Sequence, residues 1–236
     1  MRTSRAVLVG LASAVGGLAV GYRLFVRNRC LTWGATAEEA GKGMPGDGLL
    51  SEPDLVTTRA ITISATPEQI WPWLVQMGPG RGGAYTYDWV ENLLGLDMHS
   101  ASEVLPEFQD LAIDDILPMG KTGPRMRVAI LSRPYAFALA STDHHWVWAF
   151  ELYESDGGTR LLSRNRIKLP NHGVLQRFFY MFVMESGSLI MERKMLLGIK
   201  ERAERARPLP AAPTDERHDH ADLHAGRNWP TRTLGV

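Results

Sequence analysis

A single cysteine, Cys30, stands among the 236 residues, and that scarcity excludes both an internal disulfide framework and a cysteine-based metal site. Arg29 precedes it, not the small residue that a lipidated cysteine follows, so Cys30 reads as a bystander. Net charge is absent too, with 26 Lys and Arg balancing 26 Asp and Glu. Such a balance favours neither nucleic acid nor a strongly charged partner. The glycine stretch 78–83 lacks a Lys-Ser/Thr ending and a G-x-G-x-x-G register after a strand, so it is no phosphate loop. It reads better as a mobile cavity mouth, with Arg81 available to an anionic head group. No cofactor is called for by any motif. Metal is not expected either: His218, His220 and His224 form a loose cluster with no ordered shell to support a site. Large apolar side chains almost vanish after Pro208. The segment 207–236 is therefore expected to be a disordered tail, too polar to order itself by burial.

What is present centres on residues 57–94. Thr58, Ala60, Thr62 and Ser64 alternate with Arg59, Ile61 and Ile63, a period of two that predicts a strand. Thr66-Pro67-Glu68-Gln69 then reads as a helix start, with Thr66 as N-cap, Pro67 in the first turn and Gln69 as capping-box partner. Ile70, Trp71, Trp73, Leu74 and Met77 give that helix a broad apolar stripe, and Pro72 predicts a kink or a tight first turn. The glycine stretch ends it, and a second short helix is expected over 86–94.

This order of strand, capped helix with tryptophan, glycine loop and second helix, written Arg-Ala-Ile-Thr-Ile-Ser-Ala-Thr-Pro-Glu-Gln-Ile-Trp-Pro-Trp-Leu and continued by Tyr85-Thr86-Tyr87-Asp88-Trp89-Val90-Glu91-Asn92, resembles the START-like, or SRPBCC, superfamily. The continuation looks like an uncharacterised actinobacterial-type branch of it. The resemblance covers roughly residues 33–206. It implies a helix-grip fold, and it leaves function open, because the superfamily includes binders, lipid-transfer proteins and polyketide cyclases alike.

The N-terminus carries an uncharged run from Ala6 to Tyr22, flanked by Arg2 and Arg5 before it and Arg23, Arg27 and Arg29 after it. Its length sits at the short end of the ~17–25 residues that span hydrocarbon. Residues 1–30 are read as a single transmembrane anchor with its flank, and Gly17-x-x-x-Gly21 permits close helix contact there. A signal peptide cleaved near Ala12-Ser13-Ala14 and a peripheral leader are the alternatives. Three arginines after the segment, against two arginines and the amino terminus before it, tilt the bulk of the chain toward the cytoplasm. Residues 31–56 read as an extended linker packed on the domain, with Trp33 starting the contact.

From Ile116 the period of two persists. Strands are predicted near 116–119, 125–132, 135–142, 145–154 and 159–169, paired as an antiparallel meander, and a long helix from Val174 to about Ala206 closes the domain 57–206. The fold class is α+β, an antiparallel sheet wrapped around the C-terminal helix.

The faces of the strands point to a ligand site. Trp146, Trp148 and Phe150 share one face of their strand. Arg160, Arg164, Arg166 and Lys168 mark the solvent side of the last strand, so Ser163 and Asn165 point inward. Sparse polar groups in an aromatic-lined concavity suit a hydrophobic small molecule or lipid; bonded to each other or to Gln76, they would equally suit a plain core. Trp73, Gln76, Tyr85 and Trp89 join the candidate lining from the first half of the domain. Phe178 and Phe182 join it from the long helix, whose methionines suit an adaptable apolar surface.

No catalytic constellation occurs at a diagnostic spacing. Asp88, Glu91 and Asn92 share a helical face, and His144-His145 precedes the aromatic strand, so Asp88, Glu91 and His145 are the nearest candidates for acid–base chemistry. Three readings follow: a membrane-anchored binder of a hydrophobic molecule, a polyketide cyclase-, aromatase- or dehydratase-like enzyme, and a non-catalytic scaffold with a collapsed cavity.

Overall fold

The computed structural model describes residues 16–17, 20–93, 95–120, 123–169, 173 and 185–205. A π-helical turn, Tyr22–Val26, runs into α1 (Arg27–Leu31), and α2 (Ala37–Gly41) follows. Then come β1 (Leu55–Ile63), α3 (Pro67–Val75), α4 (Asp88–Leu93) and β2 (Ile116–Pro118). The chain continues through β3 (Arg125–Ser132), β4 (Ala136–Ser141), β5 (Trp146–Ser155), β6 (Gly158–Ile167) and α5 (Glu185–Arg205). The six strands form one sheet in the order β1-β6-β5-β4-β3-β2, every neighbour antiparallel. With α3 and α5 packed on one face, this is the expected α+β helix-grip architecture.

Local sequence explains the elements. Gln69 Oε1 accepts the Thr66 N–H at 2.9 Å, and α3 begins at Pro67, where a missing N–H costs nothing. The helix runs on through Pro72 to Val75. Between β5 and β6 the turn ends at Gly158, φ 136°, where a side chain would strike the Ile63 carbonyl at 2.1 Å. Only glycine fits that crossing.

The main core lies between the sheet and α3 and α5, where Ile63, Phe137, Phe150 and Leu161 meet Leu74 and Leu196. Phe137 and Phe150 stack at 6.0 Å between centroids, and Trp71 meets Phe137 edge-on at 6.3 Å. Each such fully buried side chain contributes roughly 1.5–3 kcal/mol of transfer free energy.

The opposite face of the sheet departs from expectation. Arg160, Arg164, Arg166 and Lys168 do not mark a solvent side, for Arg164 is only 2% exposed. The segment before β1 covers them. Arg164 spends all five of its N–H donors. They go to Thr58 Oγ1, to the carbonyls of Glu39, Ala40 and Lys42, and to Asp47 Oδ2, at 2.8–3.2 Å. Arg160 pairs with Glu39 at 2.7 Å, while Arg166 and Lys168 reach the carbonyls of Leu50 and Glu52. Residues 31–56 are accordingly not an extended linker. They hold α2, capped reciprocally by Thr36 and Glu39, and a 3₁₀ turn at Asp47–Leu49. Met44 joins Ala60 and Leu162 in a small second core beneath them. Guanidinium groups with long apolar stems can serve as the glue of a buried layer when peptide carbonyls meet their fixed fork.

Trp33 makes the contact expected of it, packing on the main core while its carbonyl accepts the Ala60 N–H at 3.1 Å. Among the described residues no helix is long and apolar enough to cross a membrane. Most of the run Ala6–Tyr22 lies outside the described residues, as do 174–184, with Phe178 and Phe182, and the tail.

Candidate functional site

Between the sheet, α4 and α5 lies a cavity of about 380 Å³, within the roughly 300–1,000 Å³ typical of small-molecule pockets. Its walls are largely apolar, with Leu117, Phe137 and Leu139 from the sheet, Met77 and Met98 from the loops around α4, and Met191 and Met195 from α5. Trp146 and Trp148 form one side, their rings stacked 5.7 Å apart.

Strand register builds the polar floor. Ser163 lies opposite Arg59 on β1 and Phe150 on β5, and Asn165 lies opposite Thr57 and Trp148. Residues directly opposite in an antiparallel pair share a face, so all six turn inward. Trp146 Nε1 donates to Asn165 Oδ1 at 2.8 Å and Trp148 Nε1 to Ser163 Oγ at 3.0 Å. Ser163 Oγ donates in turn to Glu192 Oε1 at 2.5 Å, and Asn165 Nδ2 reaches both Glu192 oxygens at 3.2 and 3.3 Å. Arg59, fully buried, forms an ion pair with Glu192 and donates to the Cys30 carbonyl and Ser188 Oγ. Burial pushes the Glu192 carboxyl upward, against the pull of Arg59 and Ser163. Ser163, Asn165 and Glu192, the polar floor of the chamber, thus satisfy one another's polar atoms and lock both indoles in place.

The candidates from the first half of the domain divide. Trp73 and Tyr85 are buried in the core beside the cavity, ring edge to ring face at 6.0 Å, with the Tyr85 hydroxyl donating to the Trp73 carbonyl. Gln76, fully buried, is spent on the neighbouring loop: it accepts the Leu105 N–H and the Gln109 side-chain amide and donates to the Glu103 carbonyl, holding the 3₁₀ turn Pro106–Phe108. Neither Ser163 nor Asn165 bonds to it. Trp89 is 72% exposed on the outer side of α4, and Phe150 lies under Trp148 rather than in the wall. Arg81 folds back onto the carbonyls of Val75 and Phe108 and covers the Phe108 ring, so it does not present its charge at a mouth.

The acid–base candidates separate as well. Asp88 accepts both the N–H and the hydroxyl of Ser100, and Asn92 brackets Met98. Those two residues pin the loop 97–100 to α4 and turn Glu91, between them, into the cavity wall. Burial raises the Glu91 carboxyl, the charge of Asp88 adds to the rise, and the Thr86 hydroxyl tempers it. His145 sits exposed in the β4–β5 turn, its Nδ1 2.7 Å from the Asp143 carbonyl, and takes no part in the wall. Among the described residues no cluster of His, Cys, Asp and Glu could hold a metal ion.

Arg59, Glu192 and Thr86 escaped the sequence reading, although a signal for the first two was present. Arg59 shares a strand face with Ile61 and Ile63, and Glu192 stands at helical spacing from Met195, Leu196 and Ile199. A lone charge of opposite sign within each of two apolar stripes is the mark of a buried pair.

No family model matches the chain, and no curated protein matches it. Solved structures do. A Rhodobacter sphaeroides protein is 16% identical, covering 64% of this chain and 93% of its own at a TM-score of 0.44. The Aha1 dimer from Colwellia psychrerythraea is 14% identical, over 65% of this chain and 98% of its own, TM-score 0.37. A polyketide cyclase-like protein from Corynebacterium glutamicum is 17% identical, over 61% and 88%, TM-score 0.33. At such scores the likenesses add no argument of their own, and the assignment rests on the strand order and the gripped helix. By that architecture the chain shares the helix-grip fold of the START-like, or SRPBCC, superfamily.

Proposed function

We propose that this domain binds a hydrophobic small molecule or lipid inside the sheet–helix cavity, without turning it over. The observation that carries this reading is a roomy apolar chamber whose polar floor is already satisfied from within. Such a floor holds the chamber's shape, while the methionines of α5 adapt to the occupant. An apolar run before Tyr22, with arginines on both sides, suits a tether holding the domain at the cytoplasmic face of a membrane. Phe25, 74% exposed just past that run, suits the same placement.

The cyclase- or dehydratase-like reading rests on Glu91 alone. A carboxyl in an apolar wall can do acid–base work, but its neighbour Asp88 is tied to Ser100 and His145 lies outside the wall. The collapsed-scaffold reading is disfavoured by the size of the chamber.

The test is native mass spectrometry and lipid extraction on the full chain purified from an expressing host, beside Leu139→Trp, which fills the chamber. A co-purifying apolar compound absent from the folded variant supports the binder. A chain that carries nothing and shows no thermal shift across a lipid and polyketide panel overturns it.

A further inference from the structure

The chamber is not polar only at its satisfied floor. Of its polar wall atoms, Thr57 Oγ1 has no hydrogen-bond partner among the described residues, and Glu91 Oε2 and Thr86 Oγ1 have none of good geometry there beyond their approach to each other. Glu91 is 6% exposed and Thr57 2%. A buried polar atom without a partner is costly, so several in one cavity wall point to a partner supplied by the cavity's occupant. Glu91 and Thr86 belong to the same stretch around the start of α4, whereas Thr57 belongs to β1 and neighbours Asn165 across the sheet.

We propose that the cavity's ligand is an uncharged, mainly apolar molecule bearing a hydroxyl or carbonyl oxygen, which docks between Glu91 and Thr86 and is met by Thr57 as a second contact. The inference rests on the binding reading above and names the chemistry of the ligand.

The charge argument selects a neutral oxygen over a carboxylate or phosphate. Among the described residues, the ionisable side chains in the wall are Glu91 and Glu192, both acidic. Arg59, the cation nearest the floor, is already occupied by Glu192, Ser188 and the Cys30 carbonyl. Asp88, one turn before Glu91, is bound to Ser100. An anionic head would therefore enter an apolar chamber with acidic neighbours and no free cation among the described residues, which is costly. A neutral ligand oxygen meets complementary groups. A threonine hydroxyl donates and accepts and a carboxyl oxygen accepts, so an alcohol is met by either and a ketone by the threonines.

The test uses the full chain and a matched three-ring series: fluorene, fluorenol, fluorenone and fluorene carboxylate, with affinities from equilibrium dialysis. Fluorenol and fluorenone are expected to bind about tenfold or more tightly than fluorene, and the carboxylate more weakly than fluorene. Glu91→Leu combined with Thr86→Val should erase the preference for oxygen while leaving fluorene bound as well or better, and Thr57→Val should reduce it only a few-fold. Glu91→Gln, which keeps a polar group of the same shape, should preserve the preference and guards against a variant that merely misfolds. Equal binding of fluorene and fluorenol by the wild type, or a preference surviving Glu91→Leu with Thr86→Val, overturns this inference and leaves the binding reading standing. Tightest binding of the carboxylate also overturns it. Binding of no member at all overturns both.

Discussion

Arg59 of β1 and Glu192 of α5 meet as an ion pair inside the core, the arginine fully buried and the glutamate almost so. The pair joins the sheet to the C-terminal helix and, through Ser163 and Asn165, fixes the two indoles of the cavity wall.

Removing one partner leaves a buried charge alone. Arg59→Met and Glu192→Leu should each cost about 3–5 kcal/mol, read from urea denaturation, while the double replacement should recover much of that loss. A double variant as unstable as the sum of the singles would mean that the two residues act independently.

Glu39 should make the chain acid-sensitive. Arg160, followed by Tyr153 and the Thr36 N–H, holds its carboxyl down at about 2, from an ordinary 4.5. The unfolded chain therefore takes up the proton first as pH falls. The stabilisation is present above the ordinary value and is lost on the way down to about pH 2. Glu39→Gln should lower Tm at about pH 6, and the gap from wild type should close in acid. A gap independent of pH would show that packing rather than charge is at stake.

Glu91 carries the opposite sign. Its carboxyl is raised by burial, so the native state holds the proton more tightly than the unfolded chain. Stability should fall as pH rises from about 4.5 through the raised value, and Glu91→Gln should flatten that slope and exceed the wild type in Tm at about pH 8. Thermal melts across that window decide it. A wild-type slope unchanged by the variant would place the titration elsewhere.

Gly198 lets α5 pass close to Tyr85. A methyl there would stand 2.6 Å from the Tyr85 carbonyl oxygen and 2.7 Å from its Cβ. Tyr85 is poorly placed to yield, since it holds φ 58°, donates to the Trp73 carbonyl and lies under Arg202 at 4.6 Å. Alanine normally gains about 1 kcal/mol over glycine inside a helix. Here Gly198→Ala should instead destabilise by about 1–3 kcal/mol, measured by denaturation. A rise in Tm would show that the approach is loose.

Alternation and capping carried the elements a long way. β3 runs Arg125–Ser132, the span that the period of two predicts, and α3 starts at the capping box read from Thr66 and Gln69. The inward direction of Ser163 and Asn165 was also legible, because neighbours one residue apart on a strand must face opposite ways. What those groups bond to was not, since Trp146, Trp148 and Glu192 reach them from other elements.

By itself, the sequence determined the run of strands and helices, the α+β class and the aromatic face of β5, because these depend on the periodicity of neighbours and on local caps. Only the tertiary structure decided which faces were covered. The arginines of β6 look like a solvent face until residues 34–52 arrive with their carbonyls, and Arg59 looks misplaced until Glu192 reaches it. The same holds for the cavity: Thr57, Thr86 and Glu91 are unremarkable polar residues in the chain, and come to line one chamber only when β1 and the start of α4 close on the same space. Burial is a property of what comes together from afar, and a one-dimensional pattern records only what lies beside what.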